Sequence, residues 1–173
     1  MLIRTAHLGC ALRSWRQGDQ AALVRQANNR KVWRNLTHMF PHPYTEADAD
    51  HWLQVASERG RSVHLAIEVN GTVAGGIGAI AGEGIAEATA DFGYWLGEAF
   101  WGQGIATVAA RAMVQHLMST VQFARLEAPV FAWNPASMRV LEKVGFAREG
   151  VLRKSVSKDG ALIDSVMYAY TAA

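Results

Sequence analysis

The sequence predicts a mixed α/β fold, formed by a single domain over residues 1–173. Half of the 173 residues are hydrophobic, which is enough to build one sizeable core. Alternating apolar and polar residues predict strands through the middle of the chain, and apolar residues spaced three and four apart predict helices around them. Between residues 91 and 130 the order is strand, helix, strand, so helices and strands are interleaved.

The first third of the chain is predicted to hold one strand, two helices and a loop. The strand pattern and the two helical patterns lie at residues 8–16, 19–28 and 45–58. Thr45 is the predicted N-cap of the second helix, with Asp48 as its acidic partner three residues on. The segment Trp33–Tyr44 is rich in Trp, His, Phe and Pro and lacks periodicity. We expect it to form either a packed connector or a wall of the substrate site.

The middle of the chain is predicted to form an antiparallel meander. Two strand patterns, at residues 63–69 and 72–80, flank Asn70-Gly71, a strong signal for a hairpin turn, and Asp91–Leu96 forms a third strand. A glycine-containing turn and a helix over residues 103–118 follow. The remaining predicted elements are a strand at 126–133, a helix at 134–144, and strands at 150–156 and 163–170 separated by an Asp159-Gly160 turn.

The turn Trp101-Gly-Gln-Gly-Ile-Ala-Thr107 is a candidate phosphate site because it leads directly into a helix. The first turn of a helix leaves N–H groups unpaired and carries partial positive charge, so it can receive an anion. Gly102 and Gly104 let a ligand approach the backbone and tolerate a positive φ. A short Gly-x-Gly is equally compatible with a tight loop. The apolar face of the helix is formed by Ile105, Val108, Ala109, Ala112, Met113 and Leu117.

Composition excludes several classes of protein. The 17 Lys and Arg residues nearly balance the 15 Asp and Glu residues, so no basic stripe for nucleic acid is expected. The single cysteine, Cys10, excludes an intramolecular disulfide framework and a cysteine-rich metal site, and we expect a buried thiol there. No apolar stretch reaches the roughly 20 residues that span a bilayer. We therefore expect a cytoplasmic protein with no metal, membrane or nucleic-acid partner.

Two shorter patterns indicate other functions but lack the right context. Gly76-Ile-Gly-Ala-Ile-Ala81 matches a dinucleotide fingerprint of a flavin or nicotinamide enzyme, yet a strand follows it where that fingerprint requires a helix. His38 and His42 are four residues apart, like a helical metal pair, but Pro41 and Pro43 interrupt any helix. We interpret the glycines as part of a hairpin and the histidines as part of a loop.

A longer motif begins at Asn134, where the chain reads Asn-Pro-Ala-Ser-Met-Arg-Val-Leu-Glu-Lys-Val-Gly-Phe. The strand that ends at Leu96, the glycine turn that follows it and this motif come in a fixed order along the chain. That order resembles the GNAT acetyltransferase superfamily and, within it, the ribosomal-protein N-terminal acetyltransferase branch. The family's turn, Gln/Arg-x-x-Gly-x-Gly/Ala, corresponds to Trp101–Ala106, with Trp in the first position. The second family signature is matched by Asn134, Ser137, Leu141, Lys143, Gly145, Phe146, Glu149 and Gly150.

The resemblance implies a GNAT-like fold, with a central, largely antiparallel sheet of about seven strands that splays in the middle and about four flanking helices. It implies acetyl-CoA as the donor, with the pyrophosphate on the N–H groups of Gly102–Thr107 and the pantetheine arm beside the strand ending at Leu96. Asn134 would hydrogen-bond the arm, and it is also a good N-cap before Pro135. The residues implied in cofactor binding are Tyr94, Trp95, Leu96, Gly102, Gln103, Gly104, Ile105, Ala106, Thr107, Asn134, Ser137 and Lys143.

The resemblance also implies direct attack of a primary amine on the thioester in a ternary complex. A backbone N–H near Leu96 would polarise the carbonyl, and Ser137, which is equally an ordinary first-turn serine, would protonate the thiolate. The branch places an acidic general base on the strand that follows the Glu-Gly pair, but residues 153–158 contain no carboxylate. Asp91, Glu98 or a water chain remain as routes for the proton.

The acceptor stays open between a peptide or protein N-terminus and a small-molecule amine. An α-amino group has a reference pKa near ~8 and a lysine amine near ~10.4, so the former loses its proton more readily at neutral pH. The alternative is a CoA-binding sensor or scaffold without catalysis, which the missing carboxylate favours. A homodimer is a further expectation from the family, without an assigned interface.

Overall fold

The fold is known from a computed structural model that describes residues 1–7, 9–58 and 60–171. The described residues form eight strands and five α-helices. The strands are β1 Leu2–Arg4, β2 Cys10–Ser14, β3 Val63–Val69, β4 Thr72–Ala81, β5 Thr89–Leu96, β6 Arg125–Phe131, β7 Ala147–Lys158 and β8 Ala161–Thr171. The helices are α1 Gln20–Ala27, α2 Arg30–Trp33, α3 Glu46–Ser57, α4 Ile105–His116 and α5 Pro135–Val144.

The observed elements confirm the predicted mixed α/β fold and add two short ones. The three-residue strand β1 lies at the edge of the sheet, and the four-residue helix α2 ends at Trp33, the first residue of the segment predicted as a loop. Both are too short to produce a periodic pattern, so no sequence signal predicts them. The predicted first strand included Leu8, which lies outside the described residues.

The eight strands form one sheet in the order β1-β2-β3-β4-β5-β6-β8-β7. All neighbouring pairs are antiparallel except β5 and β6, which are parallel because helix α4 connects them. These two strands pair only where Thr89–Asp91 lies beside Arg125–Glu127. Beyond Asp91 the strands diverge, so the sheet splays in the middle, as the resemblance implies.

Each face of the sheet is covered by helices. The larger core cluster joins the sheet to α4 and α5 and includes Ile105, Met113 and Leu141. A smaller cluster on the other face contains Leu23 of α1 and Ala49 of α3. None of the helices in the described ranges is long and apolar enough to cross a bilayer.

Candidate active site

The candidate site is the gap between β5 and β6. The Gly82 N–H donates to the Thr89 carbonyl at 2.9 Å, and the Gly97 N–H donates to the Ala74 carbonyl at 2.8 Å. Backbone groups in an antiparallel pair alternate in direction, so odd-numbered residues of β5 bond to β4 and even-numbered residues point away from it. The N–H groups of Tyr94 and Leu96 therefore face the gap, where no strand pairs with them. An extended, amide-containing ligand can occupy this position as an added strand.

The glycine turn lies at the open end of the same gap. Trp101 fixes it to β5, because the indole Nε1–H donates to the Leu96 carbonyl at 2.8 Å. Gly104 is the N-cap of α4 with a φ of +77°, and Gly102 has a φ of +74°. No heavy atom lies within 4 Å of where a Cβ would stand at either glycine. The space beside the backbone is therefore open at both glycines.

The backbone N–H groups of residues 102–106 donate no hydrogen bond to any described residue. The first paired groups are those of Thr107 and Val108, both of which donate to the Gly104 carbonyl. The side chain of Gln103 turns back to donate to the Ala99 carbonyl at 2.8 Å, which holds the turn in shape. Five consecutive unpaired N–H groups at a positive helix end provide the donors that a pyrophosphate requires.

Two hydroxyl groups meet across the gap. The Tyr94 side chain comes from β5 and the Ser137 side chain from the first turn of α5, and their hydroxyl oxygens are 2.8 Å apart. The Tyr94 hydroxyl also approaches the Ser137 carbonyl, at 3.2 Å. Burial raises the pKa of Tyr94 to about 12, so this phenol keeps its proton at neutral pH. No local pattern predicts this pairing, because the two residues are 43 positions apart in the chain.

Asn134 is the N-cap of α5, as its local sequence predicts. Its Oδ1 accepts a hydrogen bond from the Ser137 N–H at 3.2 Å, and Pro135 occupies the first helical position. The Nδ2 group makes no hydrogen bond to the described residues and remains available to a ligand in the gap. The cap and the implied ligand contact therefore use different atoms of the same side chain.

The two candidate carboxylates lie away from the centre of the gap. Asp91 is in the closed, paired part of β5, three residues before Tyr94, which corresponds to about 10 Å along a strand. Burial, and then the nearby Glu127 charge, raise the pKa of Asp91. Glu98 follows the end of β5, where it pairs with Lys31 and accepts a hydrogen bond from Asn29.

Hydrogen bonds from Lys31 and Asn29 lower the pKa of Glu98, which makes this carboxylate a weaker base.

Trp95 and Lys143 also lie outside the gap. The Trp95 ring packs on the opposite face of the sheet, with its centroid 5.4 Å from that of Phe40. Lys143 is exposed in the last turn of α5, on the order of 9 Å along the helix from Ser137.

Helix α2 crosses the open end of the gap and contacts both of its sides. On the β5 side, Lys31 pairs with Glu98. On the other side, Arg30 pairs with Asp159 at the tip of the β7–β8 hairpin. Arg34 lies over the ring of Trp133, 4.5 Å from its centroid, just after β6. The first residues of the segment predicted as a connector or a substrate wall, Trp33 and Arg34, thus lie beside the mouth of the candidate site.

A sequence model described as an acetyltransferase (GNAT) domain matches residues 10–147 of this chain. Over 81 residues the chain is 43% identical to a probable N-acetyltransferase, YjcK, of Bacillus subtilis (strain 168), and 35% identical to the ribosomal-protein-serine acetyltransferase of Escherichia coli (strain K12). Each alignment covers 47% of this chain and 45% of the relative. The chain thus spans about half the length of the curated relatives it matches.

Solved structures match over nearly the whole chain. Mycobacterium smegmatis RimJ in complex with CoA-disulfide is 28% identical with a TM-score of 0.86, covering 99% of this chain and 86% of that chain. A GNAT-family acetyltransferase from Bacillus anthracis is 21% identical with a TM-score of 0.85. The match covers 99% of this chain and 98% of that chain, and it shows the shared fold.

Proposed function

The chain belongs to the GNAT acetyltransferase family, and on that premise we propose that it transfers the acetyl group of acetyl-CoA to a primary amine. The observation that carries the proposal is the open gap between β5 and β6, which ends at five unpaired N–H groups. A ligand with a pyrophosphate and an amide-containing arm fits both features, because the turn offers anion donors and the free strand edge offers peptide-like pairing.

The pyrophosphate would bind the N–H groups of residues 102–106, with the arm running beside β5. The thioester would then lie near the N–H groups of Tyr94 and Leu96, which would polarise its carbonyl. Asn134 Nδ2 would donate to an amide oxygen of the arm. Related chains support this donor, since the Mycobacterium smegmatis RimJ structure holds a CoA-disulfide.

The reaction would be a direct displacement. The amine nitrogen attacks the thioester carbon, the C–S bond breaks, and the sulfur leaves as a thiolate that takes a proton. Ser137 is the proposed proton donor, held in place by Tyr94 at 2.8 Å, and its hydroxyl takes a proton back from solvent as the thiol leaves. The positively charged nitrogen of the intermediate loses its own proton, which yields a neutral amide.

Solvent is the proposed acceptor of the amine proton. Glu98 is occupied by Lys31 and Asn29, and Asp91 is about 10 Å back along the strand from Tyr94, so neither carboxylate reaches the reacting nitrogen directly. This arrangement suits amines whose pKa lies near ~8, such as a peptide N-terminus, because they are partly neutral without help. Whether the active form is a homodimer stays a prediction from the family.

The proposal is tested by incubating the protein with acetyl-CoA and a panel of peptides, amino acids, polyamines and aminoglycosides, and measuring release of free CoA thiol and acetylated amine. We expect turnover with at least one α-amine. Tight acetyl-CoA binding by calorimetry with no turnover across the panel would instead indicate the non-catalytic sensor. Absence of acetyl-CoA binding would contradict both functions.

A further inference from the structure

Three exposed cations lie close together on the outer surface of α4 and α5. Arg111 of α4 donates from its guanidinium to the Lys143 carbonyl of α5 at 2.8 Å, and Arg139 lies one helical turn before Lys143 on the same face of α5. None of the three forms an ion pair with a carboxylate of the described residues. The nearby Glu142 carboxylate accepts a hydrogen bond from the Tyr168 hydroxyl of β8. These three cations form a basic patch whose charge is not neutralised locally.

The basic patch lies on the same side of α4 as the glycine turn. Gly104, Thr107 and Arg111 follow one another at intervals of three and four residues, so they share one face of the helix. The opposite face carries Ala109 and Met113, which are fully buried in the larger core cluster. The outer face of α4 therefore leads from the unpaired N–H groups of the turn to the Arg111 side chain.

The spacing of the turn and the basic patch matches the spacing of two anionic groups in CoA. Ala106 carries the last of the five unpaired N–H groups, and Arg111 follows it after about 7.5 Å of helix. In CoA one ribose joins the pyrophosphate to the 3′-phosphate. The six covalent bonds between the two phosphorus atoms span at most about 7–8 Å. A CoA molecule whose pyrophosphate binds the turn can therefore bring its 3′-phosphate to Arg111.

We propose that Arg111, with Lys143 and Arg139 beside it, binds the 3′-phosphate of CoA. The inference rests on the proposed function, which places the pyrophosphate on residues 102–106. A guanidinium has five N–H donors in a fork that matches phosphate oxygens, and Arg111 uses only one of its five on a described residue. The Lys143 carbonyl already holds this side chain at the junction of the two helices, so binding costs less conformational entropy. The protein would thereby select CoA over donors that lack this phosphate.

The test uses calorimetry to compare CoA with 3′-dephospho-CoA, which lacks only the phosphate in question. We expect CoA to bind the unmodified protein at least about tenfold more tightly, the size of one hydrogen bond between charged groups. In Arg111→Met this preference should be at least about fivefold smaller, with the Kd of 3′-dephospho-CoA unchanged. Arg111→Lys should keep part of the preference, because it retains the charge but loses the fork.

Arg25→Met is the matched control and should keep the full preference. Arg25 is likewise an exposed arginine of a helix, forms no ion pair with a described residue, and belongs to α1 on the other face of the sheet. As an acetyl donor, acetyl-3′-dephospho-CoA should show a higher KM than acetyl-CoA and an equal kcat in the unmodified protein, because the phosphate lies away from the thioester.

Equal Kd values for CoA and 3′-dephospho-CoA in the unmodified protein would overturn the inference while leaving the proposed function intact. An equal loss of affinity for both ligands in Arg111→Met would also overturn it, because Arg111 would then act only through the packing of α4 on α5. The same loss of preference in Arg25→Met would reduce the effect to general charge. A lower kcat with acetyl-3′-dephospho-CoA would contradict the assigned position of the phosphate. Failure of both ligands to bind would contradict the proposed function itself.

Discussion

Replacing Gly104 by alanine should separate the cost of backbone strain from the loss of cofactor binding. Gly104 has a φ of +77°, a region that costs an L-residue about 1–2 kcal/mol. No heavy atom lies within 4 Å of the added Cβ, so no steric clash adds to this figure. We expect the free energy of unfolding to fall by about 1 kcal/mol, which lowers Tm by roughly 2–4 °C.

The binding effect of Gly104→Ala should be larger than its effect on stability. The methyl group would stand where a pyrophosphate approaches the unpaired N–H groups, and hydrogen bonds to a charged acceptor contribute about 1.5–3 kcal/mol each. Losing one of them would raise the Kd of acetyl-CoA about tenfold to a hundredfold. Gly71→Ala is the matched control, because Gly71 has a φ of +79° and equally open surroundings in the β3–β4 hairpin.

Isothermal titration calorimetry and thermal melts of both variants test this reasoning. Both should lose similar stability, but only Gly104→Ala should lose acetyl-CoA affinity. S-acetylpantetheine lacks the pyrophosphate, so its activity as a donor should be similar in both variants. An unchanged Kd for acetyl-CoA in Gly104→Ala would refute the assignment of the turn, and an equal loss with S-acetylpantetheine would place the effect elsewhere in the gap.

Three further predictions concern catalysis and pH. Ser137→Ala should lower kcat by about a hundredfold, which is the lower range for acid catalysis. Tyr94→Phe should lower kcat less, and it should cause no further loss when it is added to Ser137→Ala. Additive effects in this double-mutant cycle would exclude cooperation between the two hydroxyls. The rate with a peptide acceptor should rise with pH along the titration of its own amine, near ~8, and a rise centred near ~4–5 would point to a carboxylate base. Burial against Trp52 lowers the pKa of His64 below 6.5, so the unfolded chain binds more protons than the folded protein. The free energy of unfolding, measured by urea titration, should therefore fall as pH decreases from about 7.5 to 5.5. The decrease should be smaller in His64→Gln.

Local sequence patterns predict the structure correctly where all residues of a cap or turn lie in one short segment. The Thr45–Asp48 capping box, the Asn70-Gly71 hairpin and the Asn134-Pro135 helix start are all present as predicted. Each is formed by residues within a few positions of one another, so its geometry depends little on the rest of the fold. The first strand β1 and helix α2 were missed because neither is long enough to show a period.

Local patterns in the chain are enough to predict the mixed α/β architecture, the glycine turn at a helix N-terminus and the family signature from Asn134 to Phe146. Which side chains meet depends on the packed fold. Tyr94 contacts Ser137, 43 residues further along the chain, and Lys31 pairs with Glu98 across 67 residues. Lys158 lies over Trp33, and 125 residues separate positions 33 and 158. These meetings depend on the splay of the sheet. The divergence of β5 and β6 is a property of two packed strands and their neighbours, and no local period encodes it.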